Sequence, residues 1–105
     1  MTAEKLYDVL VKFAASQGIE LNRDREFTLD ILRGLFRNEE RYGYRSCPCR
    51  LASGVKEQDR DIICPCVYRD PDIAEFGSCY CSLYVSPAWN EGAVEHVFVP
   101  ERRVI

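Results

Sequence analysis

Every cysteine in this 105-residue chain falls into one of three Cys-x-Cys pairs: Cys47-Pro48-Cys49, Cys64-Pro65-Cys66 and Cys79-Tyr80-Cys81. In extended chain, residues i and i+2 point to opposite sides. Such a pair can aim one sulfur at a metal and leave the other facing elsewhere. Both sulfurs reach one centre only where the backbone turns. Pro48 and Pro65 fix φ and remove an N–H, which stiffens each local geometry. Tetrahedral zinc and cubane iron–sulfur sites each commonly take four protein ligands, so six cysteines leave two over. From the residues alone the readings stay open. They are a redox iron–sulfur site with two working thiols, a structural zinc site, a structural cluster, or a three-disulfide staple.

Bulk composition narrows these. Hydrophobic residues make up 47% and charged residues 30%, so the composition is that of a soluble globular chain and not a disordered one. The length suits one domain, spanning 1–105, whose modest core would gain from a staple. A net charge of −3 argues against nucleic acid as the main partner, because phosphate neutralisation needs a basic surface. Charges at Glu4, Lys5, Asp8 and Lys12 interrupt the N-terminal segment, which therefore does not read as a signal peptide, and no stretch reads as a membrane span. The expectation is a cytoplasmic protein. In that compartment paired cysteines more often bind metal or do redox work than form structural disulfides.

The elements that must position these pairs are mostly helical. Leu6, Val9, Leu10 and Phe13 recur at helical spacing and predict an amphipathic helix over 3–17, with Thr2 as N-cap and Gly18 as stop. A second helix is predicted over 25–41, capped by Asp24 and stopped by Gly43. Phe27, Ile31, Leu32, Leu35 and Phe36 form its apolar face. Residues 50–63, between the first two pairs, are polar and suit a loop or short helix. Between the second and third pairs, Asp70 to Glu75 read as a capped helical turn with Pro71 at the first helical position and Gly77 at the end. After Cys81, SLYVS alternates like a strand until Pro87, and PAWNEG reads as a turn. EHVFVPERRVI reads as an edge strand with a basic tail. Trp89 and Tyr84 need no role beyond core or rim packing.

The three ordered pairs carry a family likeness. CPCR at 47–50, ICPCVYR at 63–69 and CYCSLYVSP at 79–87 resemble the catalytic (beta) subunit of ferredoxin–thioredoxin reductase. The two-helix N-terminal half fits that family's layout as well. The resemblance implies a mainly α, small single domain of short helices built around a 4Fe-4S cluster. By motif position, Cys47, Cys64, Cys66 and Cys79 would ligate the cluster, and Cys49 and Cys81 would form the redox-active disulfide. It further implies an enzyme that takes single electrons from ferredoxin or a similar carrier and reduces a thioredoxin or glutaredoxin-like protein disulfide. Cys49 would be the attacking thiol and Cys81 the resolving one. A second, variable subunit is a possible partner. The alternative class is a non-catalytic zinc or iron–sulfur binding module in a protein complex.

Two departures from the family pattern stand out. The gaps between pairs are 14 and 12 residues, the first shorter and the second longer than the family's, so a surface insertion is expected around 71–77. The family's histidine in the third pair is Tyr80 here, and the chain's one histidine, His96, lies far along the sequence. An unperturbed phenol near pKa ~10 is a poor proton shuttle at neutral pH. Arg50 and Arg45 lie near Cys49 in sequence and would favour its thiolate. Arg41, Arg45, Arg50 and Arg69 could form a docking patch for an acidic electron donor, or a plain solvated face.

Overall fold

A computed structural model describes residues 2–50 and 52–101. Helix α1, Ala3–Ser16, starts where the Thr2 hydroxyl accepts the Lys5 N–H. Helix α2, Arg25–Tyr42, starts where the Asp24 carboxylate accepts the Phe27 N–H, and Gly43 ends it at φ 86°. That left-handed geometry is one glycine adopts without a Cβ penalty. The buried faces are those expected except at Val9 and Phe27, with Leu10, Phe13, Ile31 and Phe36 packed against the core. Leu6 is buried with Ala3 and Ala14, while Val9 is 53% exposed. On α2, Leu32 and Leu35 are buried with Thr28 and Leu29, and Phe27 lies towards solvent.

Between the helices, strand β1, Glu20–Leu21, pairs antiparallel with strand β2, Tyr84–Val85, in the register Glu20 to Val85 and Leu21 to Tyr84. Asn22 extends this grip. Its N–H donates to the Leu83 carbonyl at 3.0 Å, and its side-chain amide donates to the Ser82 carbonyl at 3.1 Å. The N-terminal half thus holds the backbone directly after the third cysteine pair. Phe13 of α1 meets Tyr84 edge-on, with ring centroids 6.2 Å apart. The core runs from Leu6, Leu29, Leu32 and Leu35 into Ile62, Leu83 and Tyr84, and includes Cys47, Cys79 and Cys81.

Three elements of the C-terminal half depart from expectation. Helix α3, Arg69–Phe76, begins before Asp70, with Tyr68 as N-cap, so Pro71 is its third residue. Proline is tolerated there because first-turn N–H groups have no intrahelical acceptor. Of residues 71–77, Asp72 is buried and the rest are exposed or half-buried. Residues 87–92 contain one helical turn, α4, Pro87–Asn90, capped by Ser86. The predicted edge strand is not formed over 95–101, where Val97 and Phe98 are exposed. Each strand of the described sheet is only two residues long and offers that segment no ladder. The rest of the predicted strand, with its basic tail, lies at 102–105, outside the described residues. The fold is mainly α, as expected. No helix among the described residues is long and apolar enough to cross a membrane.

Candidate redox centre

The first two cysteine pairs are brought together by backbone hydrogen bonds. Cys47 N–H donates to the Ile62 carbonyl at 2.7 Å, and Cys64 N–H donates to the Arg45 carbonyl at 2.9 Å. Ser46 and Ile63 form an antiparallel bridge between them. The intervening polar loop closes on Asp59, which is fully buried. Its carboxylate accepts from the Tyr44 hydroxyl, from the Ser53 N–H and hydroxyl, and from the Gly54 N–H. Burial alone would raise the Asp59 pKa, but these donors outweigh it and hold the carboxyl below its ordinary range. Burial and the bond to Asp59 push the Tyr44 phenol up to about 12.

Helix α2 sets the first pair from behind. A Cβ on Gly34 would lie 2.8 Å from the Pro48 Cβ, so the missing side chain is what lets Pro48 sit on the helix. The third pair is fixed by its own turn. Cys79 N–H donates to the Tyr84 carbonyl, Ser82 N–H donates to the Cys79 carbonyl, and Ser82 adopts φ 59° to close the loop.

Cys47, Cys64, Cys66, Cys79 and Cys81 all line one small cavity, together with Arg50, Arg69, Tyr80 and Tyr84. Cys49 is the exposed thiol of the six. The protonation of Cys47, Cys49 and Cys81 is linked. Cys79 and Cys81 sulfurs lie 3.9 Å apart, and the Tyr84 N–H donates to the Cys79 sulfur at 3.3 Å. Among the described residues no three His, Cys, Asp or Glu side chains are gathered closely enough to hold a single metal ion. The thiols stand around the cavity wall instead.

The electrostatics divide these thiols. Donation from Cys49 and Cys81, aided by the Arg50 charge, lowers Cys47 to about 3. Holding a proton against Cys47 raises Cys49 to about 12, and the same role raises Cys81. Burial raises Cys64 and Cys66. The expected activation of Cys49 by neighbouring arginines is therefore not found. Arg50 Nη1 faces the sulfurs of Cys66, at 3.3 Å, and Cys47, at 3.9 Å. Arg45 pairs with Glu39. Nor can Arg50 and Arg69 belong to a surface patch, since both are buried.

A family model described as the ferredoxin thioredoxin reductase catalytic beta chain matches residues 1–103. The chain belongs to this family. The catalytic chain of ferredoxin-thioredoxin reductase from Porphyra purpurea is 30% identical over 77 residues, covering 71% of this chain and 62% of that protein. Its counterpart from Cyanidium caldarium is 31% identical over 67 residues, covering 62% and 57%. That from Pyropia yezoensis is 32% identical over 66 residues, covering 61% and 53%. The chain thus spans less than two thirds of the length of these relatives.

Sequence reasoning missed three buried residues around the cysteine pairs. Gly34 sits mid-helix, where its only signal was a glycine at an otherwise good helical position. Asp59 fell in a stretch read as a loop or short helix and Asp72 in a capped helical turn, with nothing to mark either for burial. Arg69 was noticed for its charge, but not for its place over the rings of Phe13 and Tyr84, 5.5 and 5.2 Å away.

Proposed function

We propose that this chain is the catalytic part of a ferredoxin-dependent disulfide reductase. Cys47, Cys64, Cys66 and Cys79 would hold a 4Fe-4S cluster, and Cys49 and Cys81 would be the redox pair. The observation that carries the reading is that Cys47, Cys64, Cys66, Cys79 and Cys81 line one cavity, while Cys49, exposed two residues from Cys47, has its protonation linked to that of Cys81 from 32 positions away. The cavity's chemistry suits an anionic, sulfur-bound occupant. Arg50 Nη2, Arg69 Nη1 and the Tyr84 hydroxyl are buried in its wall and find no hydrogen-bond partner among the described residues. Unpaired buried donors are costly unless something accepts from them. Four thiolates with iron-bound sulfide would supply acceptors and negative charge.

When bound, the cluster would supply electrons one at a time to the neighbouring disulfide. The chain's own residues do the rest. Exposed Cys49 gives up its proton as it attacks one sulfur of the target disulfide, and the other target sulfur leaves as thiolate and takes up a proton. Cys81 then attacks the Cys49 sulfur of the mixed disulfide. The target departs as a dithiol, and Cys49 and Cys81 are left joined. Two electrons have passed to the target, and two must return to reopen the pair. Burial of Cys81 beneath Cys49 keeps the resolving thiol within reach of that one sulfur. Ferredoxin or a similar one-electron carrier is the donor and a thioredoxin or glutaredoxin-like protein the target, with a variable subunit as a further partner.

Purification under anaerobic conditions tests this directly. A brown protein with about four irons and four acid-labile sulfides, and one reducible disulfide, supports the reading. Colourless protein with one bound zinc sinks it in favour of a structural module.

A further inference from the structure

Arg50 is placed as few arginines are. Its side chain is 1% exposed. Nε lies 2.8 Å from both oxygens of Glu101, Nη1 donates to the Cys66 sulfur at 3.3 Å, and Nη2 is 4.0 Å from Asp72. The guanidinium carbon lies over two aromatic rings, 5.1 Å from the centre of Tyr68 and 4.5 Å from that of Tyr80. Tyr68 is itself tied down, its hydroxyl donating to Asp61 at 2.7 Å. A buried arginine with this many fixed partners has one orientation, and the fork is aimed at sulfur.

We propose that Arg50 tunes the reduction potential of the centre through its N–H donors on the Cys66 and Cys47 sulfurs, and that Tyr80 is the positioning residue that holds it there. The proposal rests on the reading that these sulfurs ligate an iron–sulfur cluster. Adding an electron adds negative charge to the cluster and its sulfurs. A buried cation hydrogen-bonded to those sulfurs stabilises the reduced form more than the oxidised form, and so raises the potential. Asp72 and Glu101 offset part of this charge, but they meet the guanidinium on edges other than the Nη1–sulfur edge. Tyr80 stands where the family pattern has histidine. Its contact with Arg50 is through the ring face, so the role assigned to it is packing and not proton transfer.

The test is a redox titration of the purified cluster-loaded protein, followed by visible absorption and paramagnetic resonance, with iron and sulfide counted for each variant. Arg50→Gln is expected to shift the midpoint to more negative potential, and Arg50→Lys to shift it less. Tyr80→Ala should lower it in the same direction, whereas Tyr80→Phe, which keeps the ring, should match the parent chain. Should Arg50→Gln fail to hold a cluster, the two Tyr80 variants decide. A lower potential in Tyr80→Ala than in Tyr80→Phe supports the proposal. Equal potentials in variants with full iron and sulfide overturn it while leaving the cluster reading intact. Parent protein that binds no iron or sulfide overturns both.

Discussion

Two identical tripeptides, Cys47-Pro48-Cys49 and Cys64-Pro65-Cys66, have different surroundings. In the first, Cys47 is buried, Cys49 is exposed, and Pro48 is seated against Gly34 of α2. In the second, both cysteines are half-buried and both line the cavity, while the proline between them is exposed and its peptide bond to Cys64 is cis. The difference comes from what each tripeptide packs on. A helix behind the first forces its two sulfurs apart into core and solvent. The second lies between a short 3-10 turn, Arg60–Ile62, and the start of α3, where the Arg69 N–H donates to the Cys66 carbonyl at 3.2 Å. Residue identity fixes what a thiol can do, and packing decides which thiol does it.

The largest expected effect comes from exchanging the same chemistry at the two tripeptides. Cys49→Ser should keep iron, sulfide and visible colour while disulfide reduction falls to the background rate. Cys64→Ser and Cys66→Ser should lose the colour itself. Iron and sulfide analysis beside a disulfide-reduction assay separates the cases. Loss of cluster in Cys49→Ser would erase the contrast between the two motifs.

A smaller effect should follow from filling the space behind the first tripeptide alone. Gly34→Ala improves helix propensity. The new Cβ nevertheless falls 2.8 Å from the ring of Pro48, which is backbone-tethered and cannot swing away. Overpacking of this kind costs about 1–3 kcal/mol. Urea unfolding should report that loss. Trapping rates of Cys49 with an alkylating probe should change, because Pro48 is its immediate neighbour. A variant as stable as the parent, with the same trapping rate, would mean that α2 does not set the first tripeptide.

How much of this was legible in the sequence depends on range. The two long helices, their caps and Gly43 are local chemistry, and all were readable. The buried face of α1 was readable at Leu6, Leu10 and Phe13 but not at Val9, which is as apolar as Leu10 yet lies towards solvent. The six cysteines were obvious, and the family pattern supplied a division of labour that composition could not. The charged residues misled. Arg50, Arg69, Asp59 and Asp72 look like surface residues in any composition count, yet all four are buried around the cysteine pairs. Their burial is stabilised by partners distant in sequence, such as Arg50 with Glu101, 51 positions away. Periodicity and capping rules do not see such pairs.

The smallest expected effect lies between the two tripeptides, in the loop that Asp59 ties to Tyr44. Asp59 binds its proton less readily folded than unfolded, so the unfolded chain takes up protons first as pH falls. Its contribution to stability is present above an ordinary carboxylate pKa of about 4 and is lost as pH drops below it. Tyr44 runs the other way. Its phenol is raised to about 12 in the fold, so its contribution is whole below an ordinary phenol pKa of about 10 and is lost as pH rises from there towards 12. Asp59→Asn should flatten the acid limb of thermal midpoint against pH, and Tyr44→Phe the alkaline limb. Each should lower the midpoint at neutral pH. Because this knot spans only the link between the tripeptides, neither variant should change iron content in cluster-loaded protein at neutral pH. Cluster loss in either would show that the two tripeptides are held together by the loop and not by the Cys47–Ile62 and Arg45–Cys64 hydrogen bonds.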